Sequence, residues 1–197
     1  LFHSRKEPPG EKKDTAQYVD EAEIHQAIYL INSQTNLKTL IVGGGGEPFL
    51  EPESVFSLVE QTNVNKVKIY SSADWGMDQA RSEEYLNRLD EAINRRSKPV
   101  IIELNLSADS FHSLGITGRE EWYAHLKRIL DLYVEGRESG RFKNILLHFR
   151  SISDDGHIPA NDLVFQNVFA NASYNFIERN RTNDTRVLVV EGVRGLE

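Results

Sequence analysis

Four consecutive glycines, Gly43 to Gly46, are the residues of this sequence whose type and spacing point most directly to chemistry. They follow a short apolar segment and precede Glu47 and Pro48. Glycine has no Cβ and reaches backbone conformations closed to other residues, so the run leaves peptide groups free to approach a ligand. It lacks the Gly-Lys-Ser/Thr ending of a P-loop, and Pro48 stands where a dinucleotide fingerprint has its last glycine. The run is therefore either a ligand-binding turn of another kind or a turn with a structural role only.

Two further segments place polar side chains in rows. In residues 100–112, apolar residues alternate with Glu103, Asn105, Ser107 and Asp109, the pattern of a strand with one apolar and one polar face. We expect the apolar face to meet helices and the polar face to line a wet, ligand-filled interior. In residues 144–151, His148 and Arg150 share one face in the same way. The planar fork of an arginine suits a carboxylate, although an ion pair at the surface would also explain Arg150.

The elements that must position these residues alternate between helix and strand. Such alternation indicates right-handed crossovers and a parallel sheet, either open and doubly wound or curled into part of a barrel. Spacing of apolar residues and capping signals predict helices over 18–33, 52–61, 78–95, 117–135 and 160–178, and strands over 40–42, 67–71, 99–107, 145–149 and 186–191.

Two of these motifs resemble those of the radical S-adenosylmethionine (radical SAM) enzymes. Gly44 to Pro48 resembles the Gly-Gly-Glu-Pro motif of that family, and Ser107 to His112 resembles its strand-four sequence. The resemblance implies an α/β fold, a partial (β/α)6 TIM-like barrel of parallel strands wrapped by helices, with its first strand missing. On this interpretation residues 1–17 form a mobile leader that follows the cluster loop, and residues 18–197 form the core.

The resemblance also implies which residues meet SAM. The backbone of the glycine motif would contact the SAM amino group, and polar groups at later strand ends would contact its ribose, carboxylate and adenine. The residues implied are Gly44, Gly45, Gly46, Glu47 and Pro48 at the motif, Ser71 and Ser72 after the next strand, then Ser107, Asp109, His148, Arg150 and Glu191.

Radical SAM chemistry further implies a [4Fe–4S] cluster, whose reduction cleaves SAM to a 5′-deoxyadenosyl radical. The chain has no cysteine, so we expect cluster ligands upstream of Leu1 and expect these 197 residues alone to be inactive. The implied partners are a small-molecule or peptide substrate and an electron donor such as a flavodoxin or ferredoxin. The alternative is a cysteine-free, non-catalytic remnant that binds SAM, a peptide or a partner enzyme. A phosphate-binding barrel enzyme is less favoured, because Glu47 would repel the anion.

Composition narrows the remaining classes. A net charge of −7 disfavours a nucleic-acid partner, and no apolar run reaches the roughly 20 residues of a membrane-spanning helix. The absence of cysteine predicts a cytoplasmic protein without disulfides. The histidines show no zinc-binding spacing, and His25 and His125 are expected at the surface. Trp75 and Trp122 are expected to pack in the core.

Overall fold

The computed structural model describes residues 20–43, 46–108, 119–152, 174–182 and 185–193. These residues form four α-helices, six strands and two short 3-10 helices. The helices are α1 (Glu21–Ser33), α2 (Pro52–Gln61), α3 (Gln79–Asn94) and α4 (Arg119–Glu138), and the 3-10 helices are Pro48–Leu50 and Asp74–Met77. The strands are β1 (Thr39–Val42), β2 (Lys66–Ser71), β3 (Ile101–Ser107), β4 (Ile145–Ile152), β5 (Tyr174–Thr182) and β6 (Thr185–Val193).

Local sequence signals set the helix starts. The Asp20 carboxylate accepts from the Glu23 amide at 2.8 Å, and Glu23 accepts from the Asp20 amide at 3.1 Å, so a capping box opens α1. Helix α2 begins with Pro52, where the missing N–H costs no intrahelical bond. The Asp78 carboxylate caps α3 by accepting from the Arg81 amide at 2.7 Å. These three helices start at or within three residues of the predicted positions.

The sheet confirms the α/β class. Its strand order is β1-β2-β3-β4-β6-β5, and β1 to β4 are parallel neighbours in chain order. Right-handed crossovers between successive neighbours place the connecting helices on one face of the sheet. Helices α1 to α4 contact one another in the same order. The result is a four-stranded parallel sheet flanked by a helix layer.

The last two strands differ from the prediction. Residues 174–178 lie in β5, so the predicted helix over 160–178 is wrong at its end, and β6 runs antiparallel to β4 instead of parallel. Residues 174–182 pair with β6 as far as Thr182 with Thr185, and this strand pairing outweighs the helical spacing of the apolar residues. The continuous ring of parallel strands expected for the barrel is not confirmed.

Strand β3 lies at the centre of the sheet and shows the predicted alternation. Ile102, Leu104 and Leu106 are fully buried in the core that the sheet shares with the helices. Complete burial of such a side chain is worth about 1.5–3 kcal/mol. On the opposite face, Glu103 and Asn105 are only 5% and 3% exposed. The polar side chains therefore lie on the predicted face, but their neighbours cover them more than a water-filled interior would.

Among the described residues, no helix is long and apolar enough to cross a membrane.

Candidate functional site

The polar face of the sheet carries a cluster of functional groups at the carboxyl ends of the parallel strands. Tyr70, Asn105 and His148 are aligned across β2, β3 and β4, and Ser107 pairs with Arg150 in the next row. Ligands of parallel α/β sheets bind at this edge, because the strand ends and the loops that follow them converge there. The structure thus brings predicted residues Ser107, His148 and Arg150 together.

Arg150 reaches across the neighbouring strand to Tyr70. Its guanidinium carbon lies 4.9 Å from the centre of the Tyr70 ring, a cation–π contact that spans β3. Asn105 on β3 is buried, and its amide donates to the Glu103 carbonyl at 2.9 Å. Within the described part of the chain, Arg150 Nε is buried and has no hydrogen-bond partner. Arg150 therefore combines a fixed position with unused donor capacity, as anion recognition requires.

Gly43 and Gly46 lie in different surroundings. Gly43 has a φ of +134°, and a Cβ there would lie 3.0 Å from Tyr70 Cβ and 3.1 Å from its carbonyl oxygen, so close packing against Tyr70 requires glycine. A Cβ on Gly46 would meet nothing within 4 Å. Packing does not explain glycine at Gly46, which leaves open space beside its backbone. Gly44 and Gly45 lie outside the described residues.

The Glu47 carboxylate contacts the end of β2. One carboxylate oxygen accepts from the Phe49 amide at 3.1 Å and from the Ser71 hydroxyl at 2.8 Å. The other accepts from the amide and the hydroxyl of Ser72 at 2.5 and 2.6 Å. Pro48 begins the 3-10 helix directly after Glu47. We call this arrangement of Glu47, the Phe49 amide, Ser71 and Ser72 the Glu47 clamp.

The clamp changes the interpretation of two predicted ligand contacts. A hydroxyl has one proton and two lone pairs. Ser71 donates its proton to Glu47 and accepts from the Ala73 amide and from Trp75 Nε1, both at 2.9 Å, so its capacity is filled. The Ser72 hydroxyl lies near both Glu47 and Asp74 and can donate to one of them at a time. The structure gives Ser71 a structural role, and the ribose contact of Ser72 stays a prediction.

A buried ion cluster lies on the same face, toward the amino ends of the strands. Lys66 and Lys68 on β2 approach the Glu103 carboxylate at 2.8 and 3.2 Å. Burial raises the pKa of Glu103, but hydrogen bonds and charges from the two lysines outweigh burial and lower its pKa overall. Sequence reasoning noted the polar face but not this pairing, because the partners are 35 and 37 residues apart.

The charged side chains of the parallel strands lie at two different levels. Lys66 and Lys68 are paired with Glu103 toward the amino ends, and Arg150 is the one charged residue of β1 to β4 near the carboxyl ends. Glu47 and Asp74 follow the ends of β1 and β2, where hydrogen bonds from Ser71 and Ser72 engage them. Arg150 is therefore the strand residue that could attract an anionic group of a ligand at this edge.

Two predicted site residues cannot be placed by their side chains. Asp109 lies outside the described residues. Glu191 pairs with Asn175 on the β5–β6 hairpin, but its side chain lies outside the described part of the structure. The contacts that the resemblance implies for them stay predictions.

His125 was predicted at the surface, and this prediction is wrong: the side chain lies on α4 and is only 4% exposed. Burial is the main reason that the pKa of His125 is lowered, and the positive charge of Arg128 lowers it further. The reason for the burial is the 3-10 helix Asp74–Met77, which packs against α4 so closely that a Cβ on Gly76 would lie 2.9 Å from the His125 carbonyl oxygen. Trp75 and Trp122 are buried, as predicted.

The expected [4Fe–4S] cluster is contradicted. The chain has no cysteine, the residue whose thiolate holds such clusters. Among the described residues, no group of three or more His, Asp or Glu side chains is arranged to hold a metal ion. The residues of this chain do not fit the cluster, so no chemical step is assigned to it.

Comparison with known proteins adds little to this geometry. No protein-family model matches the chain, and no curated protein matches it. A solved structure described as "delta-N METTL16 MTase domain" matches with a TM-score of 0.26 and 12% identity, over 86% of this chain and 79% of that chain. Similarity at this level establishes neither a shared fold nor a shared function.

Proposed function

We propose that this chain binds S-adenosylmethionine at the carboxyl edge of its parallel sheet, as a radical SAM-like domain that holds no cluster of its own. The observation that carries the proposal is the Arg150–Tyr70 pair beside the glycine turn. Arg150 would receive the SAM carboxylate through its guanidinium, which Tyr70 holds in position, and the open backbone at Gly46 would meet the SAM amino group. Ser107, paired with Arg150 in the sheet, would contact the carboxylate or the ribose.

The order of the parallel strands favours a barrel-like fold over a doubly wound one. In a doubly wound sheet the strand order reverses at a switch point, which puts helices on both faces. Here β1 to β4 follow one another without reversal, which is how the strands of a (β/α) barrel succeed one another. We therefore propose that the parallel part corresponds to a section of a TIM-like barrel. The substrate, the electron donor and catalytic activity stay predictions of the resemblance.

The test is the affinity of Arg150 variants for two ligands. Calorimetric titration with SAM should detect binding to the unmodified chain. Arg150→Gln should weaken SAM binding by roughly 10- to 100-fold, the loss expected when a hydrogen bond to a charged group is removed. Arg150→Lys should recover only part of the affinity, because lysine lacks the planar fork.

The second ligand isolates the carboxylate contact. Methylthioadenosine lacks the amino-acid part of SAM, so Arg150→Gln should leave its affinity unchanged. Arg95→Gln is the matched control, because 62% of the Arg95 side chain is exposed and Arg95 follows the end of α3, before the amino end of β3 and away from the carboxyl ends of the strands. Absence of SAM binding by the unmodified chain would refute the proposal, and equal losses for both ligands would refute the role of Arg150.

A further inference from the structure

The sheet ladder does not hold the chain beyond the end of β1. The last register pair between β1 and β2 is Val42 with Ile69, and the glycine run follows at once. Glycine restricts its backbone less than any other residue, so a binding site at this run depends on how the residues before and after the run are held. Among the described residues that follow, Gly43 packs against Tyr70 of β2, and the Glu47 clamp then ties the chain to the end of β2 by hydrogen bonds.

We infer that Glu47 is a positioning residue, which fixes the exit of the glycine turn against the end of β2 and does not itself contact the bound molecule. The inference rests on the proposed SAM site and departs from the ligand contact that the sequence motif implied for Glu47. A carboxylate offers about four lone-pair sites. The Phe49 amide, the Ser71 hydroxyl and the Ser72 amide fill three of them, and the Ser72 hydroxyl fills the fourth when it donates to Glu47 and not to Asp74.

The groups that hold Glu47 are themselves fixed. Ser71 is 2% exposed and is bound by Trp75 Nε1. Trp75 packs against Phe49, two residues after Glu47, with ring centres 5.2 Å apart, and both rings are buried. Glu47, Ser71, Trp75 and Phe49 thus form a closed series of contacts, because Phe49 lies two residues after Glu47 in the chain. A closed set of this kind limits the movement of the Glu47 backbone, which is the point where the glycine run ends.

Glu47→Gln tests the inference, with Glu51→Gln as the matched control. Glutamine has nearly the same shape but presents an amide donor to groups that also donate, so the clamp should open. Glu51 has the same charge four residues later and makes no capping hydrogen bond. Amide hydrogen exchange of the unliganded protein, followed in peptides containing Phe49 and Ser72, should be at least about tenfold faster in Glu47→Gln, because a hydrogen bond to a charged acceptor is lost. It should be unchanged in Glu51→Gln.

SAM affinity separates positioning from a purely structural role. Glu47→Gln and Ser72→Ala should each weaken SAM binding about tenfold or more, and the double variant should lose no more than the larger single loss, since both open one clamp. Faster exchange with non-additive affinity losses supports the inference. Weaker binding without faster exchange would show that Glu47 contacts SAM directly and overturn it, as would unchanged exchange with unchanged binding.

The proposed function and the inference fail separately. The exchange measurement needs no ligand. If the unmodified chain does not bind SAM, the proposed function is refuted. Faster exchange in Glu47→Gln would then still show that Glu47 holds the turn, and unchanged exchange would overturn that as well.

Discussion

Replacing Glu103 by glutamine is expected to lower the free energy of unfolding by about 2 kcal/mol. The change removes the single carboxylate between Lys66 and Lys68, and loss of one member of a buried ion pair costs about 3–5 kcal/mol. We expect less here because the two lysine side chains are 38% and 21% exposed, and solvent screens exposed charges. Urea denaturation at neutral pH measures the change.

Glu91→Gln provides the comparison for the Glu103 variant. Glu91 on α3 pairs with Arg95, the residue that follows the helix, and their side chains are 59% and 62% exposed, so the loss of this pair should cost no more than about 0.5 kcal/mol. Equal effects of the two substitutions would show that the Glu103 cluster contributes no more than a surface ion pair.

The contribution of Glu103 should also disappear in acid. Its pKa in the folded protein is below its ordinary value, so an unfolded chain takes up the proton first as the pH falls. The contribution is complete above the unfolded pKa of about 4.3, declines below it, and is lost once the pH passes the folded pKa. The difference in stability between the unmodified protein and Glu103→Gln should therefore shrink over this window. A difference independent of pH between 6 and 3 would contradict the ion-pair explanation.

Gly136→Ala is expected to destabilise the protein by about 1–3 kcal/mol through overpacking. In an exposed helix interior the same change stabilises by up to about 1 kcal/mol. Here a Cβ on Gly136 would lie 2.0 Å from the nearest atom of the Phe142 ring. The ring cannot easily move, because Phe142 is 2% exposed and stacks on Tyr133 with ring centres 6.4 Å apart. Thermal or urea unfolding measures directly whether Gly136→Ala lowers or raises the stability of the protein.

A double-mutant cycle checks this explanation. Phe142→Leu removes much of the ring and should itself destabilise the protein, but it opens space beside Gly136. In that background Gly136→Ala should cost little or become stabilising, since only neighbouring sites give non-additive effects. An equal cost in both backgrounds would show that the ring is not the cause.

Particular residues show how far the sequence alone determined the fold. The starts of α1, α2 and α3 and the alternation along β3 are local features, and the sequence predicted those helix starts to within three residues. The predicted helix over 160–178 failed where β5 begins. Apolar spacing over a short segment is compatible with either element, and pairing with β6 decides which forms. Burial of His125 depends on the 3-10 helix at Gly76, about 50 residues away in sequence.

For the candidate site, the sequence by itself determined which chemical groups are present. They are a glycine run without a P-loop lysine, a row of polar residues on β3, and Arg150. The sequence also contains no cysteine. The tertiary structure decided which of those groups remain available. Register across three strands brings Arg150 onto Tyr70, while Ser71 and Glu47 satisfy each other. Hydrogen-bonding capacity is a property of a residue type, but whether a neighbour has already filled it depends on contacts between residues far apart in the chain.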